Sequence, residues 1–298
     1  MVREEKKKQN QEEFIMKPKV DFCFKELMED EIIRKGFIAA VLGVPKESIG
    51  KTIIINTHLR KESEEEKLGI LDVRVEMMDG TQIDMEIQVA PFELWVERSL
   101  FYLCKMFIDQ IHAGEDYSVI KKCIHIGILD FELFEKDPEL ASCFHFWEDH
   151  RRRKYTDKLE LHVLELPKLA KYDYPPTELI NWAKFINAEN REEMEKMAKT
   201  DESLKKAYEK VVKMSADDVK RQEYEEREKA IRDYNCQMRS NWNAGVQVGI
   251  KQGREEGIVK AFQKLGLSAE ETAKHIAEMQ SVSLEDAKVL VENYWDAK

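Results

Sequence analysis

Gly69-Ile70-Leu71-Asp72-Val73-Arg74-Val75-Glu76 is followed, across Asp79-Gly80, by Gln82-Ile83-Asp84-Met85-Glu86-Ile87-Gln88-Val89. The apolar side chains are Leu71, Val73, Val75 and Met77 in the first segment, and Ile83, Met85, Ile87 and Val89 in the second. Every one carries an odd number. Strand side chains alternate faces, so each segment reads as a strand with one apolar and one polar face. If the two pair antiparallel with their apolar faces together, the numbers of opposed residues must sum to an even value. A two-residue Asp79-Gly80 turn would oppose Met78 to Thr81, an odd sum, and would put the faces out of phase. The expectation is a three-residue loop or a bulge at Asp79-Gly80-Thr81, with Gly80 at positive φ. That register sets Asp72 on the same face as Glu86 and Gln88.

Acidic groups beside a hydrophobic core are costly unless something positive meets them, and a divalent cation is one such partner. Arg74, Glu76 and Asp84 fall on the same even-numbered face. A solvated hairpin face displays the same pattern, so periodicity alone leaves a solvated face and a site both open.

Working outward, residues 22–42 have helical spacing that ends near Gly43-Val44-Pro45, and 52–58 are strand-like. After the hairpin, Pro91 starts a helical stretch from about 92 to 113, closed by Gly114. Residues 123–131, 143–147 and 159–166 then alternate or run apolar like strands. This order predicts an α/β fold, a sheet sandwiched by helices. Pro167, Pro175 and Pro176 mark a boundary, after which the chain turns charged and helical. The expected organisation is a charged segment over 1–16, an α/β domain over 17–170, and a helical region over 171–298.

The composition excludes several classes. No run of eighteen apolar residues is present to cross a membrane, and the first thirteen residues are charged rather than signal-like, which reads as cytosolic. Five cysteines (Cys23, Cys104, Cys123, Cys143, Cys236) lack metal-site or redox spacing and read as reduced packing residues. His125, His145 and His162 lie in apolar strands and read as hydrogen-bonded core or barrel-edge histidines. No Gly-rich phosphate loop or nucleophile elbow occurs. The 62–67 charge run reads as a solvated loop. The formal charge is −11, and 17–170 holds 22 basic against 30 acidic residues, which weakens non-specific affinity for phosphates unless the charges segregate. The concentrated basic run is His150-Arg151-Arg152-Arg153-Lys154, a solvated loop or a phosphate contact.

In the C-terminal region Gly245, Gly249, Gly253 and Gly257 recur every four residues among Val246, Val248, Ile250 and Ile258. On a helix over about 243–265 they form one stripe where another backbone can approach. Glycine costs about 1 kcal/mol in a helix interior relative to alanine, so the stripe is either compensated by a partner helix or a frayed hinge. Ser268 to Glu271 and Ser283 to Asp286 look like capped starts of two short terminal helices. Their basic coverage, Lys274, His275 and Lys288, is thin for DNA contact.

Ile70-Leu71-Asp72-Val73 and then Asp84-Met85-Glu86-Ile87-Gln88 resemble the core of the PD-(D/E)XK nuclease superfamily. More narrowly, they resemble its recombination-promoting nuclease and transposase branch found in bacteria. Asp21-Phe22-Cys23-Phe24-Lys25 resembles the branch's opening helix, and Glu97-Arg98-Ser99-Leu100-Phe101-Tyr102 the helix after the second strand. Gly114-Glu115-Asp116-Tyr117, Ile126-Gly127-Ile128-Leu129-Asp130-Phe131 and Leu161-His162-Val163-Leu164-Glu165-Leu166-Pro167-Lys168 resemble later elements. The branch often ends in a comparable glycine-repeat helix and helical pair.

The resemblance implies a PD-(D/E)XK-like mixed sheet flanked by helices and a Mg²⁺-dependent DNA endonuclease serving recombination or mobile elements. It implies that Asp72 and Glu86 are metal ligands, with the Ile87 carbonyl as a further one, and that Asp21 and Arg98 support them. Gln88 stands where the superfamily usually has lysine. An amide can orient water or phosphate but supplies no charge. The rival expectation is a catalytically silent interaction protein that keeps the fold and forms homo-oligomers through its C-terminal helices.

Overall fold

The computed structural model describes residues 14–57 and 71–295. Most of the charged N-terminal segment, Gly69-Ile70, the far end of the first expected strand and the 62–67 run lie outside the described residues.

The hairpin forms with the parity its sequence demands. β1 (Thr52–Ile54), β2 (Val73–Met77) and β3 (Gln82–Gln88) are consecutive antiparallel strands. Val73 lies opposite Met85 and Val75 opposite Ile83, sums of 158. The Met77 amide donates to the Thr81 carbonyl at 2.9 Å, so the loop is the odd triplet Met78-Asp79-Gly80, with Gly80 at φ 82°. It sits one residue earlier than expected because Asp79 Oδ1 accepts from the Thr81 amide, and the Gly80 amide closes the turn onto Met77. Thr81 is thereby drawn into the ladder.

Beyond the hairpin come β4 (Cys123–Leu129), β5 (Ala141–Phe144), β6 (Trp147–Glu148), β7 (Arg153–Lys154) and β8 (Leu159–Glu165). The main sheet is mixed, in the order β1-β2-β3-β4-β8-β5, with β3, β4 and β8 parallel. β6 and β7 form a separate ribbon whose tip, 149–152, carries part of the basic run, exposed to solvent.

The helical run expected over 22–42 is two helices, α1 (Asp21–Met28) and α2 (Glu31–Leu42). Asp30 breaks it by accepting from the Ile32 and Ile33 amides as an N-cap, and Gly43 ends α2 in the left-handed region. α3 (Trp95–Ile108) is shorter than the expected 92–113. The reason lies just past its end. Asp109 is paired to Arg74, and Gln110 exchanges two hydrogen bonds with the Lys121 backbone, which takes the chain off the helical path.

The odd-numbered side chains of β2 and β3 join Ile124, Ile126 and Ile128 in one core with Phe24, Phe37 and Trp182 from α1, α2 and α4 (Glu178–Ile186). α5 (Arg191–Ala198) and α6 (Glu202–Ser215) pack into the same core through Met194 and Leu204. α3 covers the opposite face, setting Leu103 and Met106 against Leu71 and Cys123, and Trp95 against Leu129 and Val163. Both faces of the hairpin are therefore covered, and the solvated-face reading fails. Arg74, Asp84 and Glu86 are buried with 6%, 0% and 2% exposure.

At the end of β8, Glu165 accepts from the Leu133 and Phe134 amides at 2.6 and 2.9 Å and pairs with Lys168 at 2.8 Å. Lys168 also donates to the Glu139 carbonyl. This buried ion pair is fully hydrogen-bonded and holds the chain after β4 to β8.

The chain divides into two compact units, 1–231 and 232–298. α7 (Asp218–Lys264) holds the glycine repeat, where a Cβ added at Gly245, Gly249, Gly253 or Gly257 would meet nothing within 4 Å. α8 (Ala269–Gln280) and α9 (Leu284–Tyr294) start at the Ser268 and Ser283 caps, and Val259, Ile276 and Val291 make their small core. Among the described residues, no helix is long and apolar enough to cross a membrane.

Candidate active site

The even-numbered face of β3 becomes a buried polar row because each side chain meets a partner that the fold brings from elsewhere. Gln82 accepts from Arg74 Nη2 at 2.7 Å. Asp84 lies beside His125 in the parallel β3–β4 register, and Asp84 Oδ2 lies 2.7 Å from His125 Nδ1, both side chains fully buried. Glu86 pairs with Arg98, which α3 carries over the sheet. The Arg98 guanidinium also rests 5.3 Å from the centroid of the Tyr102 ring. Gly127 stands beside Glu86 in the β4 register, and a side chain there would collide with the Trp95 ring, which reaches over His125.

Asp72 lies in a bend just ahead of β2, near enough to Glu86 for its charge to raise the Glu86 carboxyl. Its Oδ1 is 2.9 Å from Lys25 Nζ of α1, and Lys25 also lies 3.9 Å from Asp21. Asp21 and Arg98, expected as supports, thus stand on either side of the acids, Asp21 acting through Lys25. Gln88 shares the face, but its amide turns away and donates to the Ala90 carbonyl at 3.0 Å. Of the three expected site residues, Glu86 lies in the buried cluster, Asp72 is ion-paired with Lys25, and Gln88 is engaged elsewhere.

His125 is the hydrogen-bonded core histidine the sequence led one to expect, but neither it nor Asp84 was expected in the site. Asp84, Glu86 and His125 each offer a ligand atom within 4.8 Å of the others. Among the described residues, Asp84 Oδ1, Glu86 Oε2 and His125 Nε2 are buried without a hydrogen-bond partner. An unpaired buried polar atom is costly, so three in one place mark a position suited to a ligand. Burial, only partly offset by Arg98 and His125 and reinforced by the charges of Asp84 and Asp72, pushes the Glu86 carboxyl up to about 7. Burial likewise raises Asp84, against its hydrogen bond to His125. Hard oxygen donors on Asp72, Asp84 and Glu86 suit a divalent cation, and the orphaned atoms leave it coordination positions. Asp84, Glu86 and His125 fit such an ion, with Asp72 close enough for its charge to be felt at Glu86.

The cysteines follow a different plan from the one expected. Cys23 and Cys123 are buried packing residues, whereas Cys104, Cys143 and Cys236 are exposed.

A family model described as PD-(D/E)XK nuclease family transposase matches residues 18–241. No curated protein matches the chain, and no solved structure does.

Proposed function

The chain belongs to the PD-(D/E)XK nuclease family transposases, and from that premise we propose that it is a Mg²⁺-dependent endonuclease that hydrolyses phosphodiester bonds in DNA. The single observation that carries the reading is the buried cluster of Glu86 Oε2, Asp84 Oδ1 and His125 Nε2, each without a hydrogen-bond partner among the described residues, with the charge of Asp72 acting on Glu86.

In this reading Asp72 and Glu86 hold the ion, and Asp84 and His125 shape its inner side. Magnesium bound there would polarise the scissile phosphate and make a neighbouring water more acidic. The remaining work falls to the chain's own residues. Arg98 fixes the Glu86 carboxylate through one oxygen and leaves the other free. Asp84 accepts the His125 Nδ1 proton, which selects the tautomer with a lone pair at Nε2. Lys25 stands beside Asp72 with 39% exposure, able to turn its ammonium toward a bound phosphate. It supplies the positive charge that Gln88, held by Ala90, does not.

DNA is the proposed substrate, and recombination or mobile-element transfer the proposed setting. The proposed self-contact uses α7, where Trp242, Val248 and Ile250 are exposed beside the glycine stripe. The test is supercoiled plasmid incubated with the protein plus Mg²⁺, with the protein plus EDTA, and with Asp72→Ala protein plus Mg²⁺. Nicking in the first arm alone is expected. Equal nicking by the variant would remove Asp72 from the mechanism. No nicking by the parent on any DNA form would favour the silent interaction protein.

A further inference from the structure

A second cluster of donor atoms lies on the other face of the sheet, at its edge. Cys143 in β5 is the direct antiparallel partner of His162 in β8. Two residues along each chain, His145 and Glu160 continue the same register, so a Cys-x-His segment faces a Glu-x-His segment. Four side chains thereby form a square. Cys143 Sγ lies 3.7 Å from His162 Nε2 and 3.7 Å from His145 Nδ1. Glu160 Oε1 lies 2.6 Å from His162 Nε2, and Glu160 Oε2 lies 3.1 Å from His145 Nε2. Glu160 and His162 are buried, while Cys143 is exposed. The square opens onto a surface pocket walled by Val44, Pro45 and Thr177.

We propose that Cys143, Glu160 and His162 bind a zinc ion that clips the edge strand β5 to β8, with His145 Nδ1 at the fourth position. The donor set decides the metal class. One sulfur, two imidazoles and one carboxylate suit a borderline-soft tetrahedral ion and are a poor match for Mg²⁺. The spacing agrees. A tetrahedral zinc with sulfur at about 2.3 Å and nitrogen at about 2.0 Å holds those two atoms about 3.5 Å apart. Cys143, Glu160 and His162 already place one ligand atom each within 4.8 Å of one another. On binding, the Cys143 thiol proton and the proton lying between Glu160 Oε1 and His162 Nε2 both pass to solvent, and the ion takes their place. Lys122 Nζ, 2.5 Å from Glu160 Oε2, stays on the oxygen the ion does not use.

The inference is independent of the acidic site, which offers no sulfur. The experiment is a Co²⁺ titration of the full-length reduced protein, read by absorbance. A thiolate-to-cobalt charge-transfer band saturating at one equivalent and abolished by added Zn²⁺ is expected. Cys143→Ser removes the band and weakens zinc at least tenfold, while circular dichroism is unchanged. His162→Gln weakens zinc by a similar factor. Cys104→Ser, Cys236→Ser and Glu86→Gln keep the band. A protein that folds but shows no band holds only a hydrogen-bonded network, and the proposal fails. It fails equally if Cys143→Ser keeps the band, or if a variant at Cys104, Cys236 or Glu86 abolishes it.

Discussion

Two glutamates of one sheet are almost fully buried, and the chain treats them in opposite ways. Glu165, at the end of β8, receives two backbone amides and the Lys168 ammonium, so both oxygens are satisfied. Glu86, in β3, receives Arg98 on one oxygen and, among the described residues, nothing on the other. A satisfied buried pair holds a fold together, and an unsatisfied one stores a demand for a ligand. The contrast separates architecture from candidate chemistry within a single layer.

The largest effect should come from breaking the satisfied member. Glu165→Ala leaves Lys168 buried and two amides unpaired, and should cost about 3–5 kcal/mol of stability. Urea unfolding measures it, and the divalent-ion response of the surviving fold should be unchanged.

Glu86 should behave in the reverse sense. Its folded value of about 7 lies above the ordinary carboxyl value of 4.5, so the folded state holds its proton more tightly than the unfolded state. Stability is therefore full below about 4.5 and falls as pH rises through that window to about 7. The loss is at most about 3 kcal/mol at pH 8 without divalent ions. Glu86→Gln should flatten this slope and unfold later than the parent at pH 8 in EDTA. A parent whose stability is level from pH 4.5 to 8 would contradict the burial argument.

A smaller effect is expected at the rim. Lys25→Met removes a half-exposed pair with Asp72 worth less than about 1 kcal/mol, so stability should barely change. Plasmid nicking should fall about tenfold, because the phosphate loses a positive partner. Unchanged nicking would return the missing charge to another residue.

Much of the fold was legible in residue parity. Odd-numbered apolar residues from Leu71 to Val89 implied an odd loop and one shared face; Val73, Val75, Ile83, Met85 and Ile87 share it and Gly80 takes the positive φ, whereas Leu71, ahead of β2, packs with α3 on the opposite face. The Ser268 and Ser283 caps marked their helices because capping is local. The rest depended on contacts that sequence spacing does not encode. Asp84 and His125 are 41 residues apart and meet only because β3 and β4 pair in parallel. Lys25 reaches Asp72 from a helix, and Arg98 reaches Glu86 from another. Periodicity could not tell a solvated face from a buried one because the burial is conferred by α3, which arrives later in the chain. Cys143 and His162 read only as a packing cysteine and a core histidine for the same reason, being joined by strand register rather than by a local motif.

The central claim is that the unsatisfied face around Glu86 holds a divalent cation, and Mn²⁺ titration at pH 8 followed by electron paramagnetic resonance tests it most directly. The account predicts that the parent removes Mn²⁺ from the free-ion signal, that Glu86→Gln binds at least tenfold more weakly, and that lowering the pH to 5.5 weakens the parent in the same direction. Identical Mn²⁺ binding by the parent and Glu86→Gln, or no binding by either, would contradict it.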